Sequence, residues 1–89
     1  MKHASHPDII VRLKRADGHL PALIGMMEAK RPCLELAQQL HAIERAIGNA
    51  KRELIHDHME HCLDESAAAN GSPSSRAALR EFKALAKYL

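Results

Sequence analysis

The chain has no tryptophan and no threonine, and among its 89 residues only one valine (Val11), one phenylalanine (Phe82) and one tyrosine (Tyr88). Scarce β-branched and aromatic residues exclude a sandwich or barrel, whose strands need them. Hydrophobic residues nevertheless make up 46%. A core of Ala, Leu and Ile suits close-packed helices, so the expected class is all-α. Cysteine is limited to Cys33 and Cys62, too few for a disulfide scaffold and better read as ligands or reactive thiols. No apolar run approaches the ~20 residues of a membrane span. Residues 1–7 contain no apolar stretch of the signal-peptide kind, so a cytoplasmic location is expected.

One domain over residues 1–89 is expected, with residues 1–6 as a flexible tail. Ser5 or Asp8 can cap a first helix, with Pro7 in its first turn. Ile9, Ile10, Leu13, Leu20, Leu23, Ile24 and Met27 then recur at helical spacing, with Pro21 expected to bend the helix. Ala29-Lys30-Arg31-Pro32 reads as a break. Next come Cys33, Leu36, Leu40, Ile43, Ile47, Ala50 and Leu54, alternating by three and four. That is a heptad seam on a long central helix. Ala67–Ser74 reads as a loop, and Ser74 or Ser75 as the cap of a short last helix with Ala78, Leu79, Phe82, Leu85 and Ala86 on its apolar stripe.

Two further steps of four carry the seam from Leu54 to His58 and Cys62. An imidazole and a thiol one turn apart can reach one ion, and this pairing suits soft or borderline metals. Cys33 lies on the same seam 25 residues before His58, or roughly 37 Å along one helix, so the two cannot share an ion within a chain. If the seam pairs antiparallel with its own copy about a two-fold axis near Ala46 and Ile47, Cys33 of one subunit meets His58 and Cys62 of the other. A basic surface is the second feature. The formal net charge is only +2, but Arg12, Lys14, Arg15, Lys30, Arg31, Arg45, Lys51 and Arg52 fall in the first 52 residues. Asp57, Glu60, Asp64 and Glu65 cluster further on. The bland reading is ordinary solvated helix faces; the functional one is a surface for phosphates.

These motifs resemble the metal- and thiol-sensing repressors of the CsoR/RcnR/FrmR type. The resemblance rests on Arg12-Leu13-Lys14-Arg15-Ala16-Asp17-Gly18-His19-Leu20, Pro32-Cys33, Gln38-Gln39-Leu40-His41-Ala42-Ile43 and His56-Asp57-His58-Met59-Glu60-His61-Cys62. It implies a three-helix protomer, an antiparallel four-helix-bundle dimer and a dimer of dimers. It also implies a repressor that holds double-stranded operator DNA as the apo protein and releases it on binding metal, so derepressing an efflux or resistance gene. DNA would lie on basic helix faces and be read by phosphate contact and shape. The matching residues are Arg12, Lys14 and Arg15, with Arg45, Lys51 and Arg52 beside them. The shortage of stacking aromatics fits duplex rather than single-stranded DNA.

For the effector, the resemblance implies Cys33, His58 and Cys62 as a three-coordinate Cu(I) site, with Glu81 as the acidic residue that supports it. The tyrosine that accompanies that acid in the copper sensors is missing here, where Pro32 precedes Cys33. The nickel and cobalt sensors add a ligand from the N-terminus, and His3 and His6 are available for it. His3 is also third from the amine of Met1, a geometry that chelates Ni(II) or Cu(II) in a plane. Ni(II)/Co(II) is therefore the expected effector, with Cu(I) as the alternative; a disordered tail is the plain alternative for both histidines. A formaldehyde sensor would carry Pro where Lys2 stands, and a persulfide sensor would lack His58. A metal carrier or storage bundle without DNA binding is the alternative of another class, and the Arg12-Leu13-Lys14-Arg15 cluster speaks against it. No open coordination position, acid–base pair or substrate pocket points to an enzyme.

Overall fold

A computed structural model of the chain describes residues 5–69 and 73–89, with side chains described for 5–61 and 76–89. Three helices follow in order: α1 (His6–Glu28), α2 (Cys33–Ala69) and α3 (Pro73–Ala86). Among the described residues there is no strand. At 37 residues, α2 is about 55 Å long.

Ser5 stands at the cap position of α1, but its hydroxyl makes no hydrogen bond among the described residues. Pro7 explains this in part. A capping hydroxyl bonds the second or third helical N–H, and proline at the second position has none. His6, expected in the tail, is the first residue of the helix and half-buried. The helix runs unbroken through Pro21.

The α1–α2 break falls where expected, and its geometry is specific. Arg31 N–H donates to Met26 O at 3.0 Å and Lys30 N–H to Met27 O at 3.0 Å. This crossed pair is a Schellman motif, and it puts Lys30 in the left-handed region at φ 59°, a place usually held by glycine. Pro32 follows, where it cannot prolong α1, and its carbonyl accepts the Leu36 N–H at 3.2 Å to open α2. Arg31 and Glu35 form an exposed two-pronged ion pair, with Nε–Oε2 at 2.9 Å and Nη2–Oε1 at 3.1 Å. Its exposure limits its contribution to roughly 1 kcal/mol or less.

The last connection differs from expectation. Ala67, Ala68 and Ala69 belong to α2, and α3 starts at Pro73, so Ser74 and Ser75 lie in its first turn. Alanine is the strongest helix former, and proline is favoured at a first helical position because its missing N–H would go unused there.

The chain divides into two compact units. One is His6–Lys51; Arg52–Leu89 make up most of the other. In the first, the buried residues are Ile9, Ala16 and Leu23 of α1 with Ile43 and Ala50 of α2. Each set repeats every seven residues, one line along each helix. In the second, Ile55 and Met59 of α2 are buried with Ala78 of α3, and Phe82 and Leu85 are half-buried.

The strained cap yields a stability test. A Cβ in the left-handed region costs about 1–2 kcal/mol, so Lys30→Gly should stabilise the chain by about 1 kcal/mol. Urea unfolding at matched protein concentration measures this. No change in midpoint would mean that the unfolded-state entropy of glycine offsets the relief.

Candidate metal centre

The described geometry centres on His58. It lies on α2, and its Nε2 is 2.6 Å from Glu81 Oε1 on α3. The two are 23 residues apart in sequence, and both belong to the second unit. The buried Met59 and Ala78 bring α2 and α3 together here. With Glu81 ionised, the carboxylate can only accept, so the bond needs the proton on Nε2. A neutral ring then keeps its lone pair on Nδ1, the nitrogen left for a metal. This is the usual arrangement of a metal-binding histidine, whose second nitrogen is held by a carboxylate that fixes tautomer and ring orientation. The His58 side chain is 22% exposed, sheltered but reachable.

Cys33 is the first residue of α2, a free and exposed thiol in the other unit. Cys62 lies one turn beyond His58 on the same helix, and its side chain falls outside the described residues. His3 also lies outside the described residues. Among the described residues of one chain, no three His, Cys, Asp or Glu side chains converge on a metal-sized site. The donor set expected from the sequence, two thiols and an imidazole, would fit a soft or borderline transition metal.

The expected DNA-facing residues are all exposed: Arg12, Lys14 and Arg15 on α1, and Arg45, Lys51 and Arg52 on α2. They do not share a single face. Arg12 and Arg15, three apart, flank one side of the buried Ile9–Ala16–Leu23 line, and Ile10, Leu13, Leu20 and Ile24 flank the other. Lys14 points elsewhere. Arg45 and Arg52, seven apart, share one face of α2, and Lys51 lies off it. The sequence reading passed over the cations of α3 and the turn after it: Arg76, Arg80, Lys83 and Lys87. Their spacing of four, three and four was visible in the residues themselves.

Residues 5–88 match the family described as metal-sensitive transcriptional repressor. The chain belongs to that family. It is 31% identical over 77 residues to the copper-sensing transcriptional repressor CsoR of Bacillus subtilis (strain 168), covering 85% of this chain and 76% of that one. With CsoR of Mycobacterium ulcerans (strain Agy99) it is 38% identical over 52 residues, which are 58% of this chain and 44% of the relative. The chain thus spans less than two thirds of the mycobacterial CsoR relatives; the share is 62% for Mycobacterium tuberculosis (strain F11). Among solved structures, the nickel-responsive transcriptional regulator InrS superposes with a TM-score of 0.80 at 30% identity. That match covers 100% of this chain and 98% of the other. The three-helix, all-α reading of the sequence therefore holds.

The His58–Glu81 pair generates a second test. Loss of a residue that orients a metal ligand typically weakens metal affinity about 10–100-fold. Glu81→Ala should do so in a competitive metal titration, with the helical signal retained. Unchanged affinity would reduce the pair to a surface contact.

Proposed function

We propose that the chain is a metal-responsive transcriptional repressor that binds operator DNA in the apo form and releases it when Ni(II) or Co(II) occupies an inter-subunit site. Membership of the metal-sensitive repressor family and the full-length likeness to a nickel-responsive regulator carry this reading. The whole chain, 1–89, acts as one cytoplasmic repressor domain without enzymatic activity. Among the described residues no helix is long and apolar enough to cross a membrane.

The site forms between two copies. Cys33 of one subunit, with His58 and Cys62 of the other, would hold the ion, and His3 or His6 would complete a nickel-type set. The bound ion supplies a cross-link between subunits. Glu81 keeps the His58 ring oriented through its Nε2, and Arg12, Lys14, Arg15, Arg45, Lys51 and Arg52 supply phosphate contacts. The dimer gains support from the surface left open by the fold: Leu40 and Ile47 on α2 are 52% and 43% exposed. A second copy, and then a tetramer, would cover such apolar lines in the manner of a helical bundle. Cu(I) is the second reading, favoured by the copper-sensing relatives and by the sufficiency of three ligands for that ion.

Mixed dimers of Cys33→Ala and His58→Ala chains should retain one intact site of two, while each homodimer retains none. Equal metal stoichiometry in all three species would defeat the inter-subunit arrangement. To choose the ion, Cu(I), Ni(II), Co(II) and Zn(II) are added in turn to the protein–DNA complex. Ni(II) should weaken DNA binding by about 5–150-fold, a coupling of about 1–3 kcal/mol. Changing His3 and His6 to Ala should remove that response and leave Cu(I) binding intact. DNA release by Cu(I) alone would make the chain a copper sensor.

A further inference from the structure

Arg76, Arg80 and Lys83, spaced by four and three residues, stand on one face of α3, and Lys87 follows four residues on in the turn after the helix. All are exposed. The opposite side of the helix faces inward, with Ala78 buried and Phe82 and Leu85 half-buried. The one acidic side chain of α3, Glu81, is not among them: its Oε1 meets His58. Among the described residues no ion pair neutralises the four cations. A face with one sign of charge and no internal partner is suited to an anionic surface outside the chain.

We infer that this face is a second phosphate-binding surface for duplex DNA, separate from the cations of α1 and α2. The charge spacing fits. From Arg76 to Ala86, the end of α3, the helix rises about 15 Å, with Lys87 one residue beyond, and over that distance one DNA strand presents about four phosphates at 3.4 Å of axis each. Four cations against that row approach charge balance. An anionic membrane fits less well, because a helix that lies on lipid inserts its apolar side, and here Ala78 is buried, Phe82 and Leu85 are half-buried and Leu79 alone of the large apolar side chains of α3 is exposed. The surface rests on the reading of the chain as a DNA-binding repressor, and it adds contacts beyond the residues assigned above.

The test is the salt dependence of binding to a mixed-sequence DNA duplex of about 40 base pairs, long enough to extend past a central contact. The full-length chain is compared with the variant Arg76→Gln/Arg80→Gln/Lys83→Gln/Lys87→Gln. Arg, Lys and Gln have similar helix propensity, and circular dichroism checks the fold; the two half-variants, Arg76→Gln/Arg80→Gln and Lys83→Gln/Lys87→Gln, serve if the fourfold change unfolds. The expected result is a slope of log K against log salt that falls by at least about 0.9, one phosphate contact or more. Arg76→Lys/Arg80→Lys should keep the parent slope, which a merely structural role for these side chains would not require. An unchanged slope in the Gln variants, beside a reduced slope in Arg12→Ala/Arg15→Ala, overturns the α3 surface and leaves DNA binding standing. If the unmodified chain binds no duplex even at low salt, both readings fall. Loss of binding to phosphatidylserine vesicles in the Gln variants, with DNA binding unaltered, assigns the face to lipid and also overturns the proposal.

Discussion

The apolar seam of α2 is wider than a single α1 can cover, and the proposed pairing of two copies depends on that excess. Ile43 and Ala50 are buried in the unit that α1 shares with the first half of α2, whereas Leu40 and Ile47 of the same seam stay exposed. α1 repeats the pattern, burying Ile9, Ala16 and Leu23 and exposing Ile10, Leu13, Leu20 and Ile24. These six half-exposed side chains would each contribute on the order of 1 kcal/mol if burial were completed. Across a two-fold axis that is about 12 kcal/mol, within the 4–15 kcal/mol that association costs. Polar and ligand contacts then decide how tight the dimer is. Antiparallel pairing of the seam with a second copy, as proposed, would also bring residues from the two ends of α2 to one place, which no folding of a single straight helix can achieve.

Much of this was legible in the residues. Alternation by three and four located the start of α2 at Cys33, and the run Lys30-Arg31-Pro32 located the break. That Glu81 supports the histidine was implied by the family resemblance and not by spacing, and His58 and Glu81 do meet. Three things were not legible. The seam reads as one face in sequence, but in the fourth heptad burial passes to Ile55 and Met59, in the unit that also buries Ala78 of α3, while Leu54 is exposed. The buried side of α2 there is set by the helix packed against it, which the seam spacing does not encode. Pattern alone also could not say which members of the seam α1 would cover. Finally, the polar tail of α2 reads as a loop because of Asn70, Gly71 and Ser72, although the alanines before them propagate the helix.

The choice of ion turns on coordination number more than on ligand softness. Two thiolates and one imidazole saturate Cu(I) but leave Ni(II) short of its preferred square or higher geometry. For Ni(II) the proposed fourth donor is His3 or His6. His6 opens α1 as a half-buried residue rather than hanging in a tail, so its reach is set by the position of a helix. His3, third from the amine of Met1, would bring that amine as a further donor. The Glu81 contact does not discriminate between the ions, since a carboxylate on Nε2 raises the basicity of Nδ1 for either of them.

Linkage adds a constraint that holds whichever ion is the effector. If metal weakens operator binding by a given factor, the operator weakens metal binding by the same factor. At the 5–150-fold typical of such coupling, the DNA-bound repressor is the poorer metal ligand. The threshold at which transcription starts is then set by that bound form, not by the free protein. A tight intrinsic site is consequently no defect in a sensor. The more phosphate contacts the chain makes, and the lower the salt, the further the free population is depleted and the more the threshold follows the DNA-bound affinity. With such coupling, basic surface and metal site would be tuned together, and a change in either would shift the metal concentration at which DNA is released.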